Sequence, residues 1–209
     1  MTQVLKISTW NVNSIRIREK QVANWLHRYN IDMVLMQEIK CVNEQFPYSA
    51  FEDMGYNCYV HGQKSYNGVA IISKFPVDEI ITDFPGNPLP MEARYLEVKL
   101  SLPIGYSRII SVYVPNGGGV GSDKFENKLK FLDSLHLYLL DREMDENLLI
   151  GGDFNVAPFD EDVYSKEELK DQTCFSLVEK ERIRKILNSG LIDPSEYFES
   201  KNKFTWWDY

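Results

Sequence analysis

The chain has 209 residues, 44% of them hydrophobic and 26% charged, enough apolar material for one core-forming domain and too much for a disordered or collagen-like chain. A formal net charge of −8 excludes a protein that holds nucleic acid by bulk charge, so any polyanion has to be bound by local groups. The cysteines, Cys41, Cys58 and Cys174, are odd in number, widely spaced and outside any CxxC or Cys/His cluster, which excludes a disulfide framework or zinc site and fits free thiols in a reducing compartment.

In chain order, short apolar runs rich in β-branched residues alternate with amphipathic stretches, the pattern of an α/β fold. Strands are expected at Val4–Trp10, Met33–Gln37, Val69–Ser73, Tyr95–Leu100, Arg108–Val114 and Leu148–Gly151, several apolar on both faces and therefore central. Between the first two, Val22, Trp25, Leu26 and Tyr29 recur at helical spacing and form one apolar stripe. A longer stripe runs through Phe125, Leu129, Leu132, His136 and Leu139. A third helix carries both end signals, a capping box at Ser176-Leu-Val-Glu179 and a stop at Gly190, with Ile183, Ile186 and Leu187 as its apolar face. Asn43 to Gly55 and the Gly-rich Pro115 to Asp123 read as loops. No basic leader with an apolar run is present at the start and no apolar run approaches membrane-spanning length, so a cytoplasmic protein without membrane association is expected.

Three strands end alike, an apolar run giving way to an acid or amide: Ser-Thr-Trp-Asn11-Val-Asn13, Val-Leu-Met-Gln37-Glu38 and Leu-Leu-Ile-Gly-Gly-Asp153-Phe-Asn155. Ligands of open α/β sheets sit at strand ends, and oxygen donors gathered without histidine or cysteine suit a hard cation such as magnesium, which takes one or two carboxylates and keeps waters for a phosphate to displace. Gly151-Gly152 would let the backbone approach a ligand closely. The same residues can also be read as turn and cap formers.

These segments, together with His61-Gly-Gln-Lys64, Tyr66-Asn-Gly68-Val-Ala, Tyr113-Val-Pro-Asn116-Gly and Phe204-Thr-Trp206-Trp-Asp-Tyr, resemble in order and over the whole chain the exonuclease III family of apurinic/apyrimidinic (AP) endonucleases. The resemblance implies a four-layer α/β sandwich, two mixed sheets face to face with helices outside. It implies a DNA-repair phosphodiesterase that needs magnesium, with manganese as a possible substitute. Such an enzyme acts on double-stranded DNA, cleaving 5′ to abasic sites and processing 3′ ends, with no obligate protein partner. Residue by residue, it implies that Glu38 holds the metal with support from Asn11, that Asp153 activates water, that Asn155 stabilises the phosphorane and that Tyr113 lies against the scissile phosphate. Asn13, Lys64, Tyr66, Arg94, Asn116, Lys124 and Trp206 are the DNA contacts it implies. On residue type alone, Lys64 and Lys124 read as solvated charges and Tyr113 and Trp206 as core, while His27, His61 and His136 have no ligand spacing.

The family continues beyond the Trp-Trp-Asp-Tyr segment with an Arg-Ile-Asp element and a Ser-Asp-His element, neither of which this sequence contains. The expectation is therefore an impaired chain, as a fragment of a longer enzyme or a natural truncation. A superfamily member acting on RNA or a small phosphoester, and a non-catalytic DNA-binding remnant, are the alternatives.

Overall fold

The computed structural model describes residues 4–141, 147–194 and Thr205. Two compact units emerge: one of Met1–Phe84, Pro90–Tyr113 and Glu143–Asp153, the other of Pro85–Leu89, Val114–Arg142 and Phe154–Tyr209.

The first unit carries both sheets. β1 (Ile7–Asn11), the crossover helix α1 (Ile15–Tyr29) and β2 (Met33–Gln37) form a parallel β-α-β unit with Ile7 opposite Met33 and Asn11 opposite Gln37. The short helix α2 (Tyr48–Glu52) follows, then β3 (Asn57–His61) and β4 (Val69–Ser73), which complete a sheet of order β1-β2-β4-β3. The second sheet has the order β5 (Glu79–Ile81), β6 (Tyr95–Leu102), β7 (Gly105–Tyr113) and β8 (Asn147–Asp153), with β7 and β8 parallel. Side chains alternate across a strand, and β2 and β4 use both faces. Met33, Leu35, Val69 and Ile71 pack with Leu96, Val98, Leu100 and Ile109 of the second sheet, whereas Val34, Met36, Ala70 and Ile72 pack with Val22 and Leu26 of α1. Each such side chain removed from water contributes about 1.5–3 kcal/mol, and burial on both faces is why these strands read as unbroken apolar runs.

The second unit contains α3 (Asp123–Leu140), the single turn α4 (Lys166–Leu169) and α5 (Leu177–Leu187). Ser122 caps α3 by accepting the Phe125 N–H, and α5 opens with the expected Ser176–Glu179 capping box. α3 lies against α5, with an Arg182–Asp133 ion pair at 3.0 Å linking them.

The mixed sheets agree with the expected fold class, and the six expected strands are found, with Met33–Gln37 and Val69–Ser73 at their expected ends. β3, β5, α2 and α4 are additions. His136 is half-buried at the margin of the α3 stripe, whose buried positions are Phe125, Lys128, Leu129, Phe131, Leu132, Leu135 and Leu139. Among the described residues no helix is long and apolar enough to cross a membrane.

Candidate active site

Parallel pairing brings strand ends together. The registers place Asn11 beside Gln37 and Tyr113 beside Asp153, so both parallel pairs present their C-terminal residues together. The Asn11 amide joins the two sheets here: its Nδ2 donates to Glu38 Oε1 at 2.8 Å and to Asp153 Oδ2 at 2.8 Å, while its Oδ1 accepts the Asn13 N–H at 3.0 Å. Asn11, expected as a metal support, thus turns its donors toward both carboxylates and sets their spacing.

Glu38 sits just past β2 with a positive φ of 53°, a conformation that costs a glutamate about 1 kcal/mol or more and that the surrounding bonds enforce. Lys40 Nζ lies 2.7 Å from Glu38 Oε2 and 2.5 Å from Asn13 Oδ1. Burial pushes the Glu38 carboxyl up, but hydrogen bonds from Asn11, Lys40 and Tyr113, with the Lys40 charge, outweigh it and hold the group below its ordinary value. Tyr113 responds oppositely. Burial, the Glu38 carboxylate that its phenol is hydrogen-bonded to, and the charge of Asp153 push its ionisation well above the ordinary tyrosine range, against a smaller pull from Arg94. The site therefore combines an ionised carboxylate with a phenol that keeps its proton.

Beneath it, Gln37 is wholly buried, its amide nitrogen 3.1–3.2 Å from Thr9 Oγ1, the Leu35 carbonyl and Ser111 Oγ, which share its two N–H donors. Gly151 and Gly152 serve the same junction. A Cβ on Gly151 would meet Leu35 Cδ1 at 2.8 Å, and one on Gly152 would meet the Val112 carbonyl oxygen at 1.9 Å. The expected close approach is thus real, but the protein itself makes it.

Arg94 is not an open cation. Its Nε contacts Glu92 Oε2 at 2.6 Å, Nη1 donates to the Tyr113 carbonyl at 3.3 Å, and the guanidinium lies 4.8 Å from the Tyr113 ring centroid. Asn67 Nδ2 reaches the same Glu92 at 3.1 Å and anchors the loop that presents Lys64 and Tyr66, both exposed. In the second unit, Asn155 adopts φ 48° and donates to the Val114 carbonyl at 2.9 Å. Asn116 is exposed and borders a cleft of about 720 Å³ lined also by Val120, Tyr164, Asp171 and Cys174. Lys124 is exposed on the first turn of α3. Trp206 lies outside the described residues.

Lys40 and Gln37 were not assigned site roles from the sequence, although Gln37 stands in the quoted Val-Leu-Met-Gln37-Glu38 run and Lys40 follows it by two residues; their partners become visible only once β1 and β2 are paired. Among the described residues no group of three or more His, Cys, Asp or Glu gathers to hold a metal. The pair formed by Glu38 and Asp153 through Asn11 has only oxygen-bearing ligands and suits a hard divalent cation held by one or two carboxylates.

A profile for the Endonuclease/Exonuclease/phosphatase family matches residues 8–209. Exodeoxyribonuclease III of Haemophilus influenzae is 32% identical over 98% of this chain and 80% of its own length. Two solved structures superpose closely: an AP endonuclease from Archaeoglobus fulgidus (TM-score 0.92, 34% identity, 99% of this chain and 79% of that one) and a 3′ phosphatase from Neisseria bound to a product DNA hairpin (TM-score 0.91, 34% identity, the same shares).

Proposed function

Since the chain belongs to the endonuclease/exonuclease/phosphatase family, we propose that it is a DNA-repair phosphodiesterase that uses magnesium to cleave duplex DNA 5′ to abasic sites and to process 3′ ends. The observation that carries the reading is the Glu38–Asn11–Asp153 bridge, which holds one carboxylate from each sheet at a common edge. The names of the relatives support the substrate, since exodeoxyribonuclease III, AP endonuclease and 3′ phosphatase all denote enzymes of DNA ends or abasic sites. Action in the cytoplasm is supported by the free thiols of Cys41, Cys58 and Cys174.

Glu38 would hold the magnesium, with Asn11 fixing its orientation. When bound, such a cation supplies Lewis-acid stabilisation of charge on a phosphate oxygen. Asp153, steadied through Oδ2 by the Asn11 amide, is the carboxylate that accepts a proton from the attacking water. Tyr113 keeps its proton, and with substrate bound its O–H turns from Glu38 to donate to a non-bridging phosphate oxygen. Asn155 stabilises the pentacovalent phosphorane through its side-chain amide, and fixed donors of this type are worth about 10²–10³ in rate. Lys64, Tyr66, Asn116, Lys124 and Trp206 are the proposed backbone and pocket contacts, and Arg94 acts by fixing Tyr113.

The test is incision of a duplex carrying one abasic-site analogue, in magnesium and in EDTA, by the native chain and by Glu38→Ala. Metal-dependent incision 5′ to the analogue, lost in the variant, is the expected result. Incision that survives EDTA or Glu38→Ala overturns the proposal.

A further inference from the structure

Lys128 belongs to the buried face of α3, at a position where helical spacing calls for an apolar residue, and it is fully buried. Its ammonium has three N–H donors. One goes to Glu179 Oε1 of α5, one to the Asn155 carbonyl at 2.6 Å and one to the Asn116 carbonyl at 3.0 Å. Glu179, also fully buried, accepts further hydrogen bonds from the Cys174 N–H at 3.0 Å and from Ser176 N–H and Oγ at 3.1 and 2.6 Å. The pair is saturated with partners. Burying two charges is expensive even when they meet, and an apolar pair would join two helices at least as well, so cohesion of α3 with α5 does not account for it.

The two carbonyls on the ammonium do. Asn116 follows β7 and Asn155 follows β8, and their side chains are the amides proposed above to face phosphate. Asn155 is held at φ 48°, and the second loop is shaped around the lysine: a Cβ on Gly117, whose φ is 96°, would come within 2.9 Å of Lys128 Cδ. We infer that Lys128 and Glu179 are positioning residues, a buried ion pair that clamps the Asn116 and Asn155 loops to one point so that both amides are preorganised for phosphate. The inference rests on the phosphodiesterase reading for what the amides do, and on the contacts alone for the clamp.

The test uses the full chain. Lys128→Met combined with Glu179→Gln removes both charges and leaves one amide oxygen to accept the Ser176 N–H and Oγ–H at the start of α5, at the loss of the acceptor for the Cys174 N–H. No unpaired buried charge is left, but the Asn116 and Asn155 carbonyls lose their donor, so the chain should still fold with its thermal midpoint lowered by no more than about 10 °C. Backbone ¹⁵N order parameters of Asn116 and Asn155 should fall from about 0.85 to below about 0.6. On the abasic duplex in magnesium, kcat should fall about 100-fold, the scale of a misplaced reacting group, with KM changed less than about threefold. Gly117→Ala, which crowds the lysine stem and keeps both charges, should move the same order parameters and serves if the double variant does not fold. Native order parameters at both loops in these variants overturn the clamp. Full activity in a folded Asn155→Ala variant overturns the phosphate reading instead, so the two failures are read separately.

Discussion

Tyr113 shows how the residues of this site depend on one another. Its phenol donates to Glu38, its ring lies under the Arg94 guanidinium, and Asp153 is its strand partner. Burial and two neighbouring carboxylates raise its ionisation, so the folded chain favours the protonated phenol. The sign follows: the stability contributed by this group is fully present below the unfolded value of about 10 and is lost as pH rises through the higher folded value. Tyr113→Phe should therefore cost about 1–2 kcal/mol in urea unfolding at pH 7 to 9, and the difference should shrink above pH ~10.5. Its incision rate should drop by about 100-fold at neutral pH. A difference that grew with pH would contradict the assigned direction. The carboxylates and amides of the site were legible in the sequence because each interrupts an apolar run at a strand end. Lys40 and Lys128 were not. The first is defined by contacts to Glu38 and Asn13 that come together only when β1 pairs with β2, and the second breaks the rule that a helix stripe is apolar.

At the scale of elements, legibility followed burial. β2 and β4 are buried along their whole length, so their sequences are continuous apolar runs with sharp ends. β3 is half-buried throughout and β5 has three largely exposed residues at a sheet edge, and neither leaves a hydrophobic pattern that outweighs its polar neighbours. α5 was marked by its cap, a local signal that survives any tertiary context. The Gly151-Gly152 pair was visible as an anomaly, but which atoms approach it depends on the pairing of β8 with β7. That pairing makes a prediction. Gly152→Ala places a Cβ at 1.9 Å from the Val112 carbonyl oxygen, which is ladder backbone and can yield only by separating the strands. The substitution should cost about 3 kcal/mol. Gly119→Ala, where a Cβ meets nothing within 4 Å, should stay within about 0.5 kcal/mol. Urea unfolding of the two variants decides it, and equal midpoints would mean that β7 and β8 are not paired in this register.

For the whole molecule, the question is how a chain of net charge −8 holds a polyanion. Long-range attraction is absent at this charge, and a bound cation neutralises only the carboxylates around it, so DNA has to be held by a few placed donors. Arg94 is already committed to Glu92 and Tyr113, which leaves Lys64 and Lys124, both exposed on loops or a helix start, as the principal candidates among the residues proposed to meet DNA. Affinity for duplex should then fall with salt along a shallow line. Two lysine contacts give a slope of about −1.8 in log K against log salt, from about 0.9 per phosphate neutralised. Lys124→Gln should reduce that slope by about 0.9. Fluorescence anisotropy with a labelled abasic duplex in EDTA, where cleavage is suppressed, measures both slopes. A native slope beyond about −5 would show that phosphate is met by cations other than these two. A Lys124→Gln slope unchanged from native would return that lysine to the solvated surface charge its sequence context first suggested.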